Sequence, residues 1–134
     1  MNKTDLENLA QIRLEEAKTL LDNKHYSGAY YLCGYVVECA LKACIAKNTQ
    51  QYDFPDPNIT KSNWTHNLAA LLVNAKIDKD MPLENASTKR NRSLVIAWTE
   101  QSRYQTHNQI EAEQIYDPVA NPSNGVYQWI KQRY

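Results

Sequence analysis

His25-Tyr26-Ser27-Gly28-Ala29-Tyr30-Tyr31-Leu32-Cys33-Gly34-Tyr35-Val36-Val37-Glu38-Cys39-Ala40-Leu41-Lys42-Ala43 lies in the longest apolar-rich part of the chain. Placed on a helix from Ser27 to about Lys47, its apolar residues (Ala29, Tyr30, Leu32, Val36, Val37, Ala40, Leu41, Ala43, Ile45) surround nearly the whole circumference. A helix apolar on all sides must be covered on all sides, so this one belongs at the centre of a bundle. Ser27 is the expected N-cap. Glu38 and Lys42 near its middle make it a poor membrane span.

The flanking sequence supplies the cover. Thr4 and Glu7 have capping-box spacing. Leu6, Leu9, Ala10, Leu14, Ala17, Leu20 and Leu21 then recur at helical intervals, ending near Asp22–Lys24. From Asn48 to Asn63 the chain is polar and broken by Pro55 and Pro57, which reads as a long loop. A third helix is expected from about Asn63–Thr65, burying Leu68, Leu71, Leu72 and Ala75. Asp80 before Pro82 has the pattern of a cap and first-turn proline. It opens a long fourth helix with Leu83, Ala86, Leu94, Ala97, Trp98 and Tyr104 on one side. Ile110 to Tyr116 forms a short helix ending before Pro118. Asn121-Pro122 starts a last helix that buries Val126, Trp129 and Ile130. The expectation is an all-α fold: an up-and-down antiparallel helical bundle of about five helices, one domain over residues 1–134.

Composition narrows the function. The 134 residues carry 15 basic and 15 acidic side chains, a formal net charge of zero. That argues against a chain whose main task is coating nucleic acid or an anionic membrane, since both draw affinity from summed positive charge. The N-terminus has no apolar run of a signal peptide, and a cytoplasmic location is expected. Cys33, Cys39 and Cys44 lie on one helix, at angles and spacings that allow neither a disulfide nor a zinc set, and read as small buried hydrophobes. No phosphate-cradling glycine loop, H-E-x-x-H, G-x-S-x-G or E-x-x-H is present, so no cofactor and no metal is expected.

A few side chains remain that could carry chemistry. Glu38 and Lys42 form an i,i+4 pair in the favourable order, with Tyr31 and Tyr35 on the same side. They are either a solvated stripe on a buried helix or the wall of a polar pocket. His66 falls at the start of the third helix, as a neutral hydrogen-bonding anchor or as a catalytic group. Lys89, Arg90 and Arg92 fan around their helix, an exposed surface or an RNA-backbone contact. Arg103 and His107 are the closely spaced arginine–histidine pair. An arginine can bind a phosphate oxygen and a histidine can move a proton, the minimum for cleaving RNA through its 2′-hydroxyl.

The central run also resembles the signature helix of HEPN domains (higher eukaryote and prokaryote nucleotide-binding). The shared features are the leucine pair Leu20-Leu21 and the pattern Y-x-x-A-x-x-x-x-G-Y-x-x-E-x-x-L-K-A from Tyr26 to Ala43. Phe54-Pro55, His66-x-Leu68-x-x-Leu71 and Arg103-Tyr104 follow in order, so the likeness covers about residues 5 to 105. It implies a helical bundle that often dimerises and is often encoded with, or fused to, a minimal nucleotidyltransferase, sometimes as a toxin–antitoxin pair. Ribonuclease members carry R-x(4–6)-H, whereas Arg103 to His107 is R-x3-H, one residue short. The resemblance therefore implies a nucleotide- or partner-binding accessory subunit. An Arg103/His107 ribonuclease toxin and a scaffold without ligand are the alternatives. By this analogy Tyr31, Tyr35, Glu38, Lys42, His66 and Arg103 line a cleft for a nucleotide, an RNA or the partner protein, with Glu38 and Arg103 paired across the bundle.

Overall fold

The computed structural model describes residues 1–48 and 64–134, and the described residues contain no strand. In chain order they form α1 (Lys3–Asp22), α2 (Tyr26–Lys47), α3 (Leu68–Asn74), a 3₁₀ turn (Asp78–Asp80), α4 (Ala86–Ile96), a second 3₁₀ turn (Glu100–Tyr104), α5 (Gln109–Ala120) and α6 (Val126–Lys131). The fold is all helical, as the periodicity predicts.

α2 is the hub. It packs against α1, α3, the second 3₁₀ turn, α5 and α6. By length and composition it could cross a membrane, yet 67% of its most apolar window is buried inside the bundle. Cys33, Val36, Val37, Ala40 and Leu41 are essentially sealed from water, and Leu71, Val95, Val119 and Ile130 of the surrounding helices close over them. α1 lays its apolar stripe on α2, with Ala10 and Ala17 fully buried at the contact. Its C-terminus closes in a Schellman pattern: the His25 N–H bonds to the Leu20 carbonyl at 2.8 Å, the Lys24 N–H to Leu21, and Lys24 takes φ 65°. Gly34 lets the second 3₁₀ region approach α2 closely, because a Cβ there would overlap the Trp98 indole.

Several expected boundaries move. α1 is capped by Asn2 in a reciprocal box with Asp5, two residues earlier than Thr4 and Glu7. Ser27 caps nothing; its hydroxyl accepts the backbone N–H of His107 at 2.8 Å and ties the 105–108 connection to α2. α3 begins at Leu68 on an Asn67 cap, later than Asn63–Thr65, and still buries Leu68, Leu71 and Leu72. The loop from Asn48 to Asn63 and its Phe54-Pro55 lie, after Asn48, outside the described residues.

The expected long fourth helix is two pieces. Asn85, not Asp80, caps α4, and the helix stops at Ile96 before the chain turns at Trp98 into the 3₁₀ segment. The break turns the inner face round: Asn91, Val95 and Trp98 are buried, while Leu83, Ala86, Ala97 and Tyr104 are exposed. α5 runs through Pro118, because Pro118 and Val119 are buried in the core and that burial offsets the one backbone bond the proline removes. Asn121 caps a turn, accepting from the Ser123 and Asn124 N–H groups. α6 starts later, after Gly125, and buries Tyr127 with Val126 and Ile130, leaving Trp129 half-buried.

Candidate functional site

One edge of α2 carries Tyr31, Tyr35, Glu38 and Lys42 at intervals of about one or two helical turns. The second 3₁₀ turn and the segment before α3 lie against this edge. Glu38 is the buried member, with 3% of its side chain exposed. Its Oε2 accepts from Lys42 Nζ at 3.1 Å, and His66 Nδ1 lies 3.0 and 3.1 Å from its two oxygens. On the other side of the same ring, His66 Nε2 stands 3.1 Å from Glu100 Oε2. Both contacts are hydrogen bonds only when the ring carries two protons, since each nitrogen faces an acceptor. Lys42, Glu38, His66 and Glu100 thus form one continuous polar chain along this edge, with Glu38 its buried member.

Arg103 does not join that chain. It is exposed and donates from Nη2 to the Tyr31 hydroxyl at 2.8 Å. Its guanidinium lies 5.4 Å from the Tyr31 ring centre and 6.0 Å from that of Tyr104. The Tyr31 hydroxyl bond holds it above the ordinary guanidinium pKa. The expected Glu38–Arg103 pair is replaced by Glu38–His66 and Arg103–Tyr31. The Tyr31 and Tyr35 rings are parallel within 7°, with centres 6.2 Å apart, and Trp98 leans on Tyr31 from the core side. Burial, then contact with Cys39, pushes the Tyr35 phenol up to about 12.

His107 has other partners. Its ring stacks on Tyr30 at 3.7 Å and its Nδ1 lies 2.8 Å from Glu111 Oε2. Hydrogen bonding to that ring holds the Glu111 carboxyl below its usual range. Only 8% of the His107 side chain is exposed, and Nε2 is buried with no hydrogen-bond partner. Arg103 and His107 therefore contact successive residues of α2, Tyr31 and Tyr30, whose side chains diverge by about 100°. Of the basic cluster, Lys89 and Arg90 are exposed, whereas Arg92 is half-buried with its Nε against apolar neighbours.

Three participants escape the sequence reading. Glu100 was hidden inside the expected long helix, where it faces no histidine. Trp98 read as core, and Tyr30 as one more apolar residue of α2. Only the R-Y ending pointed to the second 3₁₀ turn. Among the described residues, no group of three or more His, Cys, Asp or Glu is arranged to hold a metal ion.

The family model for the HEPN domain matches residues 5–132. No curated protein and no solved structure matches the chain with significance.

Proposed function

The chain belongs to the HEPN domain family, whose functions are nucleotide- or RNA-related, and from that premise we propose that it binds a nucleotide or a single-stranded RNA segment as a non-catalytic accessory subunit. The observation that carries this reading is the unequal exposure of its arginine and histidine. Arg103 is outward and stacked among tyrosines, with donors left over for a phosphate, while the His107 ring is covered by Tyr30 and tied to Glu111. A phosphate-binding cation beside exposed aromatic faces suits recognition of single strands. A general base needs a nitrogen within reach of the 2′-hydroxyl, and a buried Nε2 offers none. The homodimer and the minimal nucleotidyltransferase partner carry over from the family resemblance, the cytoplasmic setting from the N-terminal sequence, and all three form part of the proposal.

Purified protein mixed with a labelled RNA oligonucleotide tests it. Anisotropy should report binding that weakens roughly tenfold or more in Arg103→Ala and stays within about twofold in His107→Ala, and the RNA should remain intact. If the wild type cuts the RNA and His107→Ala does not, the ribonuclease reading replaces this one.

A further inference from the structure

Beside His66 opens a cleft of ≈ 250 Å³. This is a little below the usual range for small-molecule pockets (roughly 300–1,000 Å³), room for a planar base whose phosphate stays outside. Leu68, Ile96 and Trp98 give it apolar walls; Glu100, His66, Asn67 and Gln101 supply polar groups. Among the described residues no lysine or arginine lines it, so what is described of the cleft does not suit a phosphate.

The second 3₁₀ turn joins this cleft to Arg103. In a 3₁₀ helix residues three apart are eclipsed, so Glu100 and Arg103 share a face about 6 Å apart along the axis. The contacts agree: Glu100 meets His66, which sits on Glu38, while Arg103 meets Tyr31, seven residues earlier on the same edge of α2. The turn therefore runs antiparallel to α2, with its carboxylate and its guanidinium roughly 6 to 10 Å apart. That is the span from the base to the phosphate of one nucleotide.

We propose that this cleft receives a guanine base, its Watson–Crick edge read by the Glu100 carboxylate and its phosphate held by Arg103. The proposal rests on the nucleotide-binding reading above and names the base. A carboxylate presents only acceptors. Guanine alone among the common bases offers it two adjacent donors, N1–H and the N2 amine. Adenine and cytosine place a ring lone pair beside their amine, and uracil flanks its single N–H with carbonyls, so each sets an acceptor against the carboxylate. The amides of Asn67 and Gln101 are donors of the type that O6 needs. His66 is a positioning residue: with both ring nitrogens protonated it bonds the buried Glu38 and Glu100 Oε2 together, and leaves lone pairs on both Glu100 oxygens for the base.

Calorimetric titration with GMP, IMP, AMP, CMP and UMP tests this on the wild type, Glu100→Gln and Arg103→Ala, each checked for an unchanged helical melt. GMP should bind roughly tenfold or more tighter than AMP, CMP and UMP, with IMP, which lacks the amine, in between. Glu100→Gln should erase the preference by weakening GMP most and IMP in part while leaving AMP, CMP and UMP unchanged, and Arg103→Ala should weaken all five alike. Equal binding of the bases, or a GMP preference that survives Glu100→Gln, overturns the guanine assignment and leaves the nucleotide-binding reading standing. Failure of every mononucleotide to bind also overturns it. The nucleotide-binding reading falls as well only if the RNA oligonucleotide fails to bind.

Discussion

Glu38 sits among apolar neighbours with almost none of its side chain in water, and what makes that tolerable is the Lys42 ammonium and the His66 ring on its oxygens. Lys42 was legible in the sequence, because four residues along a helix is a fixed geometry. His66 was legible as a residue to watch but not as this carboxylate's partner, since twenty-eight positions separate them and only packing closes the gap. The assignment of Arg103 to Glu38 failed for the same reason: nothing local says that Tyr31 will be nearer. Removing the carboxylate leaves the Lys42 ammonium and the His66 ring without their partner at the bundle wall. Both retain some access to water, with 24% and 41% of their side chains exposed, which moderates the cost. Glu38→Ala should lower unfolding stability by about 1–3 kcal/mol in a urea titration. A change below about 0.5 kcal/mol would place Glu38 outside the network.

At the level of the helices, one residue type does most of the capping. The side chains of Asn2, Asn67, Asn85 and Asn108 each accept a backbone N–H three residues on, at the starts of α1, α3, α4 and α5. Asparagine is among the best N-caps because its short amide oxygen reaches orphan donors without helical backbone angles. The sequence points instead to Thr4 for α1 and Asp80 for α4, and to Ser27 and Asn121 for α2 and α6, helices that no side chain caps, because several polar residues near each start satisfy the same local rule. Helix existence came from many residues and was recovered throughout. Helix ends depended on one residue among close competitors and were missed by a few positions, and by eight where α4 stops at Ile96 instead of Tyr104. The Asn108 cap also fixes the residue next to His107, and Asn108→Ala tests its worth. It should cost about 1 kcal/mol, a fall of a few degrees in thermal midpoint. Asn108→Ser should recover most of that stability, and an equal loss in the two variants would show that the hydrogen bond is not the cause.

Across the whole molecule, the placement of α2 governs what solvent can reach. Cys33, Cys39 and Cys44 lie along this one helix, each 2% exposed or less, and none is in a disulfide. Burial pushes the Cys33 thiol up to about 12 and, against smaller local effects, Cys39 to about 11; Cys44 is raised as well. A thiol held protonated in the fold binds a proton that the unfolded chain has released. Its stabilisation is therefore complete below the ordinary thiol value of 9.0 and is lost as pH rises towards about 11 to 12. The native protein at pH 8 should resist alkylation by iodoacetamide at all three positions, taking up three adducts per chain only in denaturant, as intact mass would show. Rapid labelling of the native form would mean that α2 is not enclosed as described. The sequence by itself determined that the chain is helical and that Ser27 to Lys47 is its covered centre, because periodicity and apolar content are properties of each segment alone. Only the tertiary structure decided that the fourth helix breaks at Trp98, that Glu100 reaches His66 and that Arg103 parts from His107. Those outcomes depend on Gly34 admitting an indole and on side chains distant in sequence competing for the same few partners, and no segment carries that information within itself.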